Sequence, residues 1–193
     1  LRLAPVTVVD DGSADGTAEA AERAGASVIR FSVNRGKGIA LLAGMRRACE
    51  EGAEAVVTMD ADGQHSPDDL PALMGAFDAE IRPAIVGNRM EDIATMPLVR
   101  RWTNRFMSAL LSRKMGQRVP DTQCGYRVYA CRLLPLLQGE SDRFAAESEA
   151  LLKLAAAGEP IASVPIRTVY GGEKSEIHPF VDTIRFFGML RRY

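Results

Sequence analysis

A chain of 193 residues, 47% of them hydrophobic, holds enough apolar material for one globular domain with a sizeable core, which excludes disorder. Lys and Arg number 24 against 25 Asp and Glu, a formal net charge of -1, so no global basic field points to nucleic acid as a partner and any anion must be bound by local clusters. Cys49, Cys124 and Cys131 are too few and too widely spaced for a disulfide scaffold or a zinc site, which implies a reducing compartment, and neither a signal peptide nor a run of about 18 to 20 apolar residues is present.

Pro5 to Val9 is a β-branched run that ends in Asp10 and Asp11 before Gly12-Ser13, which reads as a strand tipped with carboxylates. Ser13 or Asp15 can cap a following helix, whose Ala-rich body runs from about Thr17 to Ala24 and stops at Gly25. Ser27 to Phe31 reads as the next strand, giving the cadence of a βαβ unit. Asn34-Arg35-Gly36-Lys37-Gly38 then opens a helix carrying Ile39, Leu42, Ala43 and Met45 as far as Glu51-Gly52. Its glycines let backbone approach a ligand, and its first turn offers unpaired N–H groups to an anion. The spacing is not that of an ATPase phosphate loop, and taken alone the segment is more often a plain connection.

Val56, Val57 and Met59 make a short buried strand, and Asp60 and Asp62 follow at its C-terminal end, where open α/β sheets place their ligand sites. In extended chain, residues two apart point to one side, so both carboxylates can reach one divalent cation. Oxygen ligands suit Mg²⁺ or Mn²⁺, and nearby His65 tilts the balance slightly to Mn²⁺. A solvated Asp-Gly turn is the competing reading.

Ser66-Pro67-Asp68-Asp69 is a strong helix start, with Leu70, Leu73, Met74 and Phe77 as its buried face. Ala84 to Val86 is a strand ending in Gly87-Asn88-Arg89, and Met90 to Pro97 is irregular. Leu98 to Met115 reads as a helix with Trp102, Phe106, Ala109 and Leu110 on one side and Arg100, Arg101 and Arg105 on the other. A polar loop with Asp121 and Gln123 leads into a strand alternating Tyr126, Val128 and Ala130 against Arg127 and Tyr129. Phe144 to Ala157 is helical, with Glu147 in its first turns as an ordinary helix-dipole carboxylate, and Ile161 to Val169 is a last strand. A glycine-rich loop carrying Lys174 precedes a basic amphipathic helix from Pro179, with Phe180, Val181, Ile184, Phe187 and Leu190 on its apolar face.

Carboxylates at two strand ends, a metal-capable pair, and Lys and Arg in the loops share one logic: a cation held by carboxylates holds a diphosphate, and basic side chains compensate the charge that develops as it leaves. Together, V-V-D-D-G-S-A-D-G-T at Val8 to Thr17, N-R-G-K-G at Asn34 to Gly38, M-D-A-D-G-Q-H at Met59 to His65, G-N-R at Gly87 to Arg89, D-T-Q-C-G-Y-R at Asp121 to Arg127, F-A-A-E at Phe144 to Glu147 and the Lys174-Ser175 pair resemble the inverting nucleotide-sugar glycosyltransferases of the A-type fold, family 2. The resemblance runs along essentially the whole chain and is greatest to the polyprenyl-phosphate, dolichyl-phosphate mannose synthase-like branch.

The resemblance implies an α/β fold, a Rossmann-like, mostly parallel sheet flanked by helices. It also implies a first strand and a nucleotide-binding loop before residue 1, so that one strand and part of the donor pocket are missing from this sequence. Residues 1–178 would form the catalytic domain, with the nucleotide-sugar part in about 1–90 and the acceptor part in about 91–178, and 179–193 a membrane-facing helix. Asp10, Asp11 and Lys37 would line the donor, and Asp60, Asp62 and Gln64 would hold Mg²⁺ or Mn²⁺. Arg89, Arg127 and Lys174 would neutralise phosphates, Lys174 from a loop that closes over the donor. Asp121 is the best candidate if a base exists, against a solvent-facing turn residue. The expected reaction moves a hexose from GDP-mannose or UDP-glucose to a polyprenyl phosphate at the cytoplasmic face of a membrane, the protein being peripheral or anchored by a continuation of the chain. Transfer to a carbohydrate or protein hydroxyl and a non-catalytic nucleotide-binding domain are the alternatives.

Overall fold

The structure, a computed structural model, describes residues 4–91, 96, 98–138, 145–167 and 188. Strand β1 (Thr7–Asp10) and β2 (Ser27–Arg30) pair in parallel around α1 (Thr17–Arg23). The N-cap of α1 is Gly16, not Ser13 or Asp15, though the Asp15 carboxylate one residue earlier accepts the Thr17 backbone N–H at 3.1 Å. Helix α2 (Lys37–Glu50) begins after Gly36, whose φ of 94° only glycine adopts at ease, and it packs across both β1 and β3 (Ala55–Thr58).

The second sheet has the order β3-β5-β4-β6, with β4 at Ala84–Asn88, β5 at Arg127–Ala130 and β6 at Ile161–Pro165. Strands β4 and β6 are parallel, but β5 runs antiparallel to both of its neighbours, so this sheet is mixed and not mostly parallel. Reversal of β5 has a functional consequence. Arg127, at its start, pairs with Thr58 at the end of β3, so the loop leading into β5 arrives at the edge where Asp60 and Asp62 leave the sheet. A parallel β5 would deliver that loop to the opposite end. Among the described residues no strand joins β1 to β3, and α2 spans the two sheets.

Ser66 caps a single 3₁₀ turn (Pro67–Asp69) that passes into α3 (Leu70–Ala76). Leu73 is fully buried, whereas Met74 is 40% exposed, so the buried stripe of α3 is narrower than its spacing implies. Strands β4 and β5 are buried on both faces, and Ile85, Val86, Tyr126, Val128, Leu133, Leu151 and Leu154 form the centre of the core. The alternation expected in β5 is therefore absent, because helices cover both faces of a central strand.

Helix α4 (Leu98–Met115) is rotated relative to the expectation: Asn104, Ser108 and Leu111 face the protein, while Trp102 and Phe106 face outward. The helix gains its inward hydrogen bonds from Ser108, whose Oγ accepts the Thr122 N–H at 2.9 Å, and from Ser112, which accepts the Val119 N–H at 3.0 Å. After a 3₁₀ turn at Cys131–Leu133, α5 (Leu134–Leu137) and α6 (Ala145–Ala156) complete the layer over the sheet. Cys49 and Cys131 form a disulfide, and Cys124 is buried and unpaired. The inference to a reducing compartment loses its basis, because α2 and the end of β5, distant in sequence, meet in space and bring Cys49 to Cys131. Lys174 and the helix expected from Pro179 lie outside the described residues.

Candidate active site

Asp60 leaves the end of β3 and lies against the Gly125 backbone: a Cβ on Gly125 would stand 2.5 Å from Asp60 Oδ2. Thr58 Oγ1 donates to the Gly125 carbonyl at 3.1 Å, tying the two segments together just before that contact. Lys37, the first residue of α2, places Nζ 2.7 Å from Asp60 Oδ1 and 2.9 Å from Glu147 Oε1 of α6. Burial works against the ammonium, but the Glu147 and Asp60 carboxylates outweigh it and raise the Lys37 pKa. Three elements far apart in sequence thus converge on one cation.

His65 follows in the same loop with its side chain buried, Nε2 3.9 Å from Asp60 Oδ2 and the ring 5.3 Å from that of Tyr126. Burial lowers its pKa and favours neutral imidazole, and Nδ1 has no hydrogen-bond partner among the described residues. Asp62 is exposed, and its Oδ1 accepts the Gln64 N–H at 3.0 Å, which folds the loop back toward Asp60.

Asp60 and Asp62 are hard oxygen donors of the kind Mg²⁺ and Mn²⁺ take. Among the described residues no three His, Cys, Asp or Glu side chains form a ready cage. Space that a Gly125 side chain would fill is left to the Asp60 carboxylate, so the residues fit an ion bound by two carboxylates and completed by substrate oxygens and water. Gln64 is half-buried in the same loop.

Two basic residues expected at phosphates have other work. Arg127 is 1% exposed, and its guanidinium donates to the carbonyls of Cys124 (2.6 Å), Glu147 (2.8 Å) and Thr122 (2.9 Å) and to the Tyr129 hydroxyl (3.0 Å). Burial opposes its charge, yet the Tyr129 and Glu147 fields hold its pKa up. Phosphate cannot reach it, so its assignment as a phosphate ligand is replaced by that of a cross-link between β5, the loop before it and α6.

Asp121 likewise is not a solvent-facing turn residue. It is fully buried, and Arg89 clamps it with Nε on Oδ2 at 2.7 Å, Nη2 on Oδ1 at 3.0 Å and its backbone N–H on Oδ2 at 3.2 Å. Arg89 thus gives two side-chain donors and its backbone N–H to Asp121.

At the other strand tip, Asp10 is buried and accepts the Ser13 N–H at 2.8 Å. Asp11 accepts the backbone N–H groups of Arg35 (2.7 Å) and Gly36 (2.8 Å), pinning the loop that launches Lys37. Gly12 is required beneath it, because a side chain there would strike the Asn34 nitrogen at 2.7 Å. Glu147 reads from its helix as a dipole carboxylate and belongs to the F-A-A-E motif of the resemblance, while its contact with Lys37 comes from β5 and α6 meeting through Arg127.

The glycosyl transferase family 2 model matches residues 5–135. An uncharacterized protein of Methanocaldococcus jannaschii is 35% identical over 170 residues, covering 86% of this chain and 70% of that protein. The UDP-N-acetylglucosamine–dolichyl-phosphate N-acetylglucosaminyltransferase of Methanococcus voltae is 33% identical over 147 residues, covering 74% of this chain and 59% of that protein. The undecaprenyl-phosphate mannosyltransferase of Micrococcus luteus is 31% identical over 180 residues, covering 85% and 71%. This chain therefore spans roughly six to seven tenths of those proteins. In fold it is similar to glucosyl-3-phosphoglycerate synthase of Mycobacterium tuberculosis in complex with UDP, with a TM-score of 0.66 at 20% identity over 96% of this chain and 67% of that one. With an α/β fold that gathers Asp60, Asp62 and Lys37 at one sheet edge, and a family model that matches most of its length, the chain belongs to glycosyl transferase family 2 and is a glycosyltransferase domain.

Proposed function

We propose that the protein transfers a hexose, with inversion at the anomeric carbon, from a nucleotide-diphospho-sugar to a polyprenyl phosphate. One observation carries the choice of acceptor: Asp121 is fully buried and neutralised by Arg89. Of the other buried carboxylates, Asp69, Glu147 and Glu149 are paired with Arg167, Lys37 and Lys153, and Asp10 accepts the Ser13 N–H. A sugar hydroxyl needs a base to take its proton, whereas a phosphate monoester is already anionic and does not. In the reaction an acceptor phosphate oxygen bonds to the anomeric carbon as the bond to the diphosphate breaks, and a nucleoside diphosphate leaves. The names of the M. voltae and M. luteus relatives support a lipid-phosphate acceptor.

Asp60 and Asp62 would hold Mg²⁺ or Mn²⁺, which when bound neutralises the departing diphosphate. Lys37 orients Asp60 and adds positive charge at the same edge. Asp10 and Asp11 shape the donor side, Asp11 by fixing the loop before α2. Lys174 would close over the donor as an additional cation. The donor is GDP-mannose or UDP-glucose, bound in about residues 1–90, with the acceptor met by about 91–178. Among the described residues no helix is long and apolar enough to cross a membrane, and the protein would meet its acceptor at a membrane surface.

The test is nucleoside diphosphate release from a panel of donors, with a polyprenyl phosphate, a simple glycoside or no acceptor present. Release that requires the polyprenyl phosphate supports the proposal. Release with the glycoside alone would move it to hydroxyl transfer, and binding of donor without release would leave a nucleotide-binding domain.

A further inference from the structure

Helix α4 is amphipathic the wrong way round. At about 3.6 residues per turn, Leu98, Val99, Trp102 and Phe106 fall within an arc of about 100°. They are 69%, 80%, 71% and 63% exposed. The opposite side, which packs on the protein, carries the polar Asn104 and Ser108 beside Leu111. An aromatic and aliphatic stripe of this size, left outside while asparagine and serine go inside, is not accounted for by the core.

The charge on the helix is equally one-sided. Arg100, Arg101, Arg105, Arg113 and Lys114 give it five basic residues and no acidic one, in a chain whose total formal charge is -1. Arg105 borders the apolar stripe and also lines a cleft of about 480 Å³ with Asn88, Glu91, Ser112 and Arg118. Asn88 ends β4, next to Arg89, so this cleft runs from the stripe toward the edge of the sheet that carries the site.

We infer that α4 is an interfacial helix that lays Leu98, Val99, Trp102 and Phe106 into the headgroup region of an anionic lipid bilayer, with Arg101 and Arg105 on lipid phosphates. Apolar insertion and attraction to anionic headgroups act together in such a helix, and tryptophan favours that depth. A second copy of the chain fits the face poorly, since pairing two such helices would bring their basic side chains together. Docking here also gives the proposed lipid-phosphate acceptor a route along the Arg105 cleft without leaving the membrane. That consequence rests on the proposed acceptor, whereas the docking itself does not.

Trp102 is the only tryptophan of the chain, so its emission reports on this helix alone. Adding vesicles of phosphatidylcholine mixed with phosphatidylglycerol should shift that emission to the blue and float the protein, with phosphatidylcholine vesicles much less effective. Phe106→Ser with Val99→Ser should lower vesicle partitioning at least about tenfold. Arg101→Ala with Arg105→Ala should abolish the preference for phosphatidylglycerol. Both variants should keep the circular dichroism of the native chain. Flotation with unchanged Trp102 emission would place the contact on another segment and overturn the inference. So would an absence of flotation, or a blue shift that appears without vesicles as the protein self-associates. The arm that separates this from the proposed reaction uses a water-soluble short-chain prenyl phosphate. Turnover with no vesicle binding sinks the docking alone, and vesicle binding with no turnover sinks the acceptor alone.

Discussion

Lys37 Nζ sits between two carboxylates, 2.7 Å from Asp60 and 2.9 Å from Glu147, and so joins the start of α2 to the end of β3 and the first turn of α6. Replacing Lys37 with Met leaves both carboxylates facing each other without their cation. The Lys37 and Asp60 side chains are 31% and 28% exposed, so solvent screens part of the effect and the expected cost is about 1 kcal/mol. The sign of the pH dependence follows from the raised pKa. Below the ordinary lysine value of 10.5 both folded and unfolded chains carry the proton and the contribution is complete. Above it the unfolded chain gives up its proton first, and stability falls until the pH passes the raised folded value. Urea midpoints of the native protein should decline across this alkaline window, and Lys37→Met should lack that component. Identical alkaline profiles would remove Lys37 from the network.

Gly125→Ala should damage both fold and site, because its Cβ would lie 2.5 Å from the Asp60 carboxylate. Relief requires moving either the backbone before β5 or Asp60 itself, at about 1 to 3 kcal/mol. A lowered melting temperature and loss of donor turnover should appear together. Gly63→Ala, at a positive φ but with no atom near the added carbon, should cost stability through strain alone.

The Asp121 clamp separates a structural role from a catalytic one. Asp121→Asn removes the charge that balances the buried Arg89 guanidinium, at about 3 to 5 kcal/mol. Activity should therefore fall in proportion to the folded fraction read by circular dichroism, and Arg89→Met with Asp121→Leu should recover part of the lost stability. A stably folded Asp121→Asn protein with little turnover would restore Asp121 as the base.

Asp62 is exposed and, among the described residues, makes a local turn contact, so Asp62→Ala should leave stability within about 0.5 kcal/mol of native. Donor turnover should nonetheless be largely lost, and EDTA should do the same to the native protein. Full turnover in EDTA would remove the divalent ion from the reaction.

Much of this arrangement could be read from the chain because it is local. Carboxylates after β-branched runs at Asp10 and Asp60, the capped start at Ser66 and the glycines at Gly12 and Gly36 each announce themselves within a few residues. What sequence reading missed depends on pairing across distance. The direction of β5 is set by a return path through α4, and it turns Arg127 from an expected phosphate ligand into a buried cross-link with four acceptors. The α4 pattern gave the correct helix and the wrong inner side, because Ser108 and Ser112 satisfy backbone groups of the Val119 to Thr122 loop and draw the polar side inward.

The Cys49–Cys131 bond encloses a separation of 82 residues, from the last turn of α2 to the end of β5. A closed loop of that length restricts the unfolded chain by about 4.5 kcal/mol in the chain-entropy account. That is a large share of the 5 to 15 kcal/mol that roughly bounds the stability of whole domains. One polypeptide therefore has two resistances to unfolding, selected by the thiol chemistry around it. With both thiols reduced it should behave as an ordinary marginal domain, and with the bond formed as a durable one, while Asp60 and Asp62 stay in place at the opposite end of the same helix and sheet.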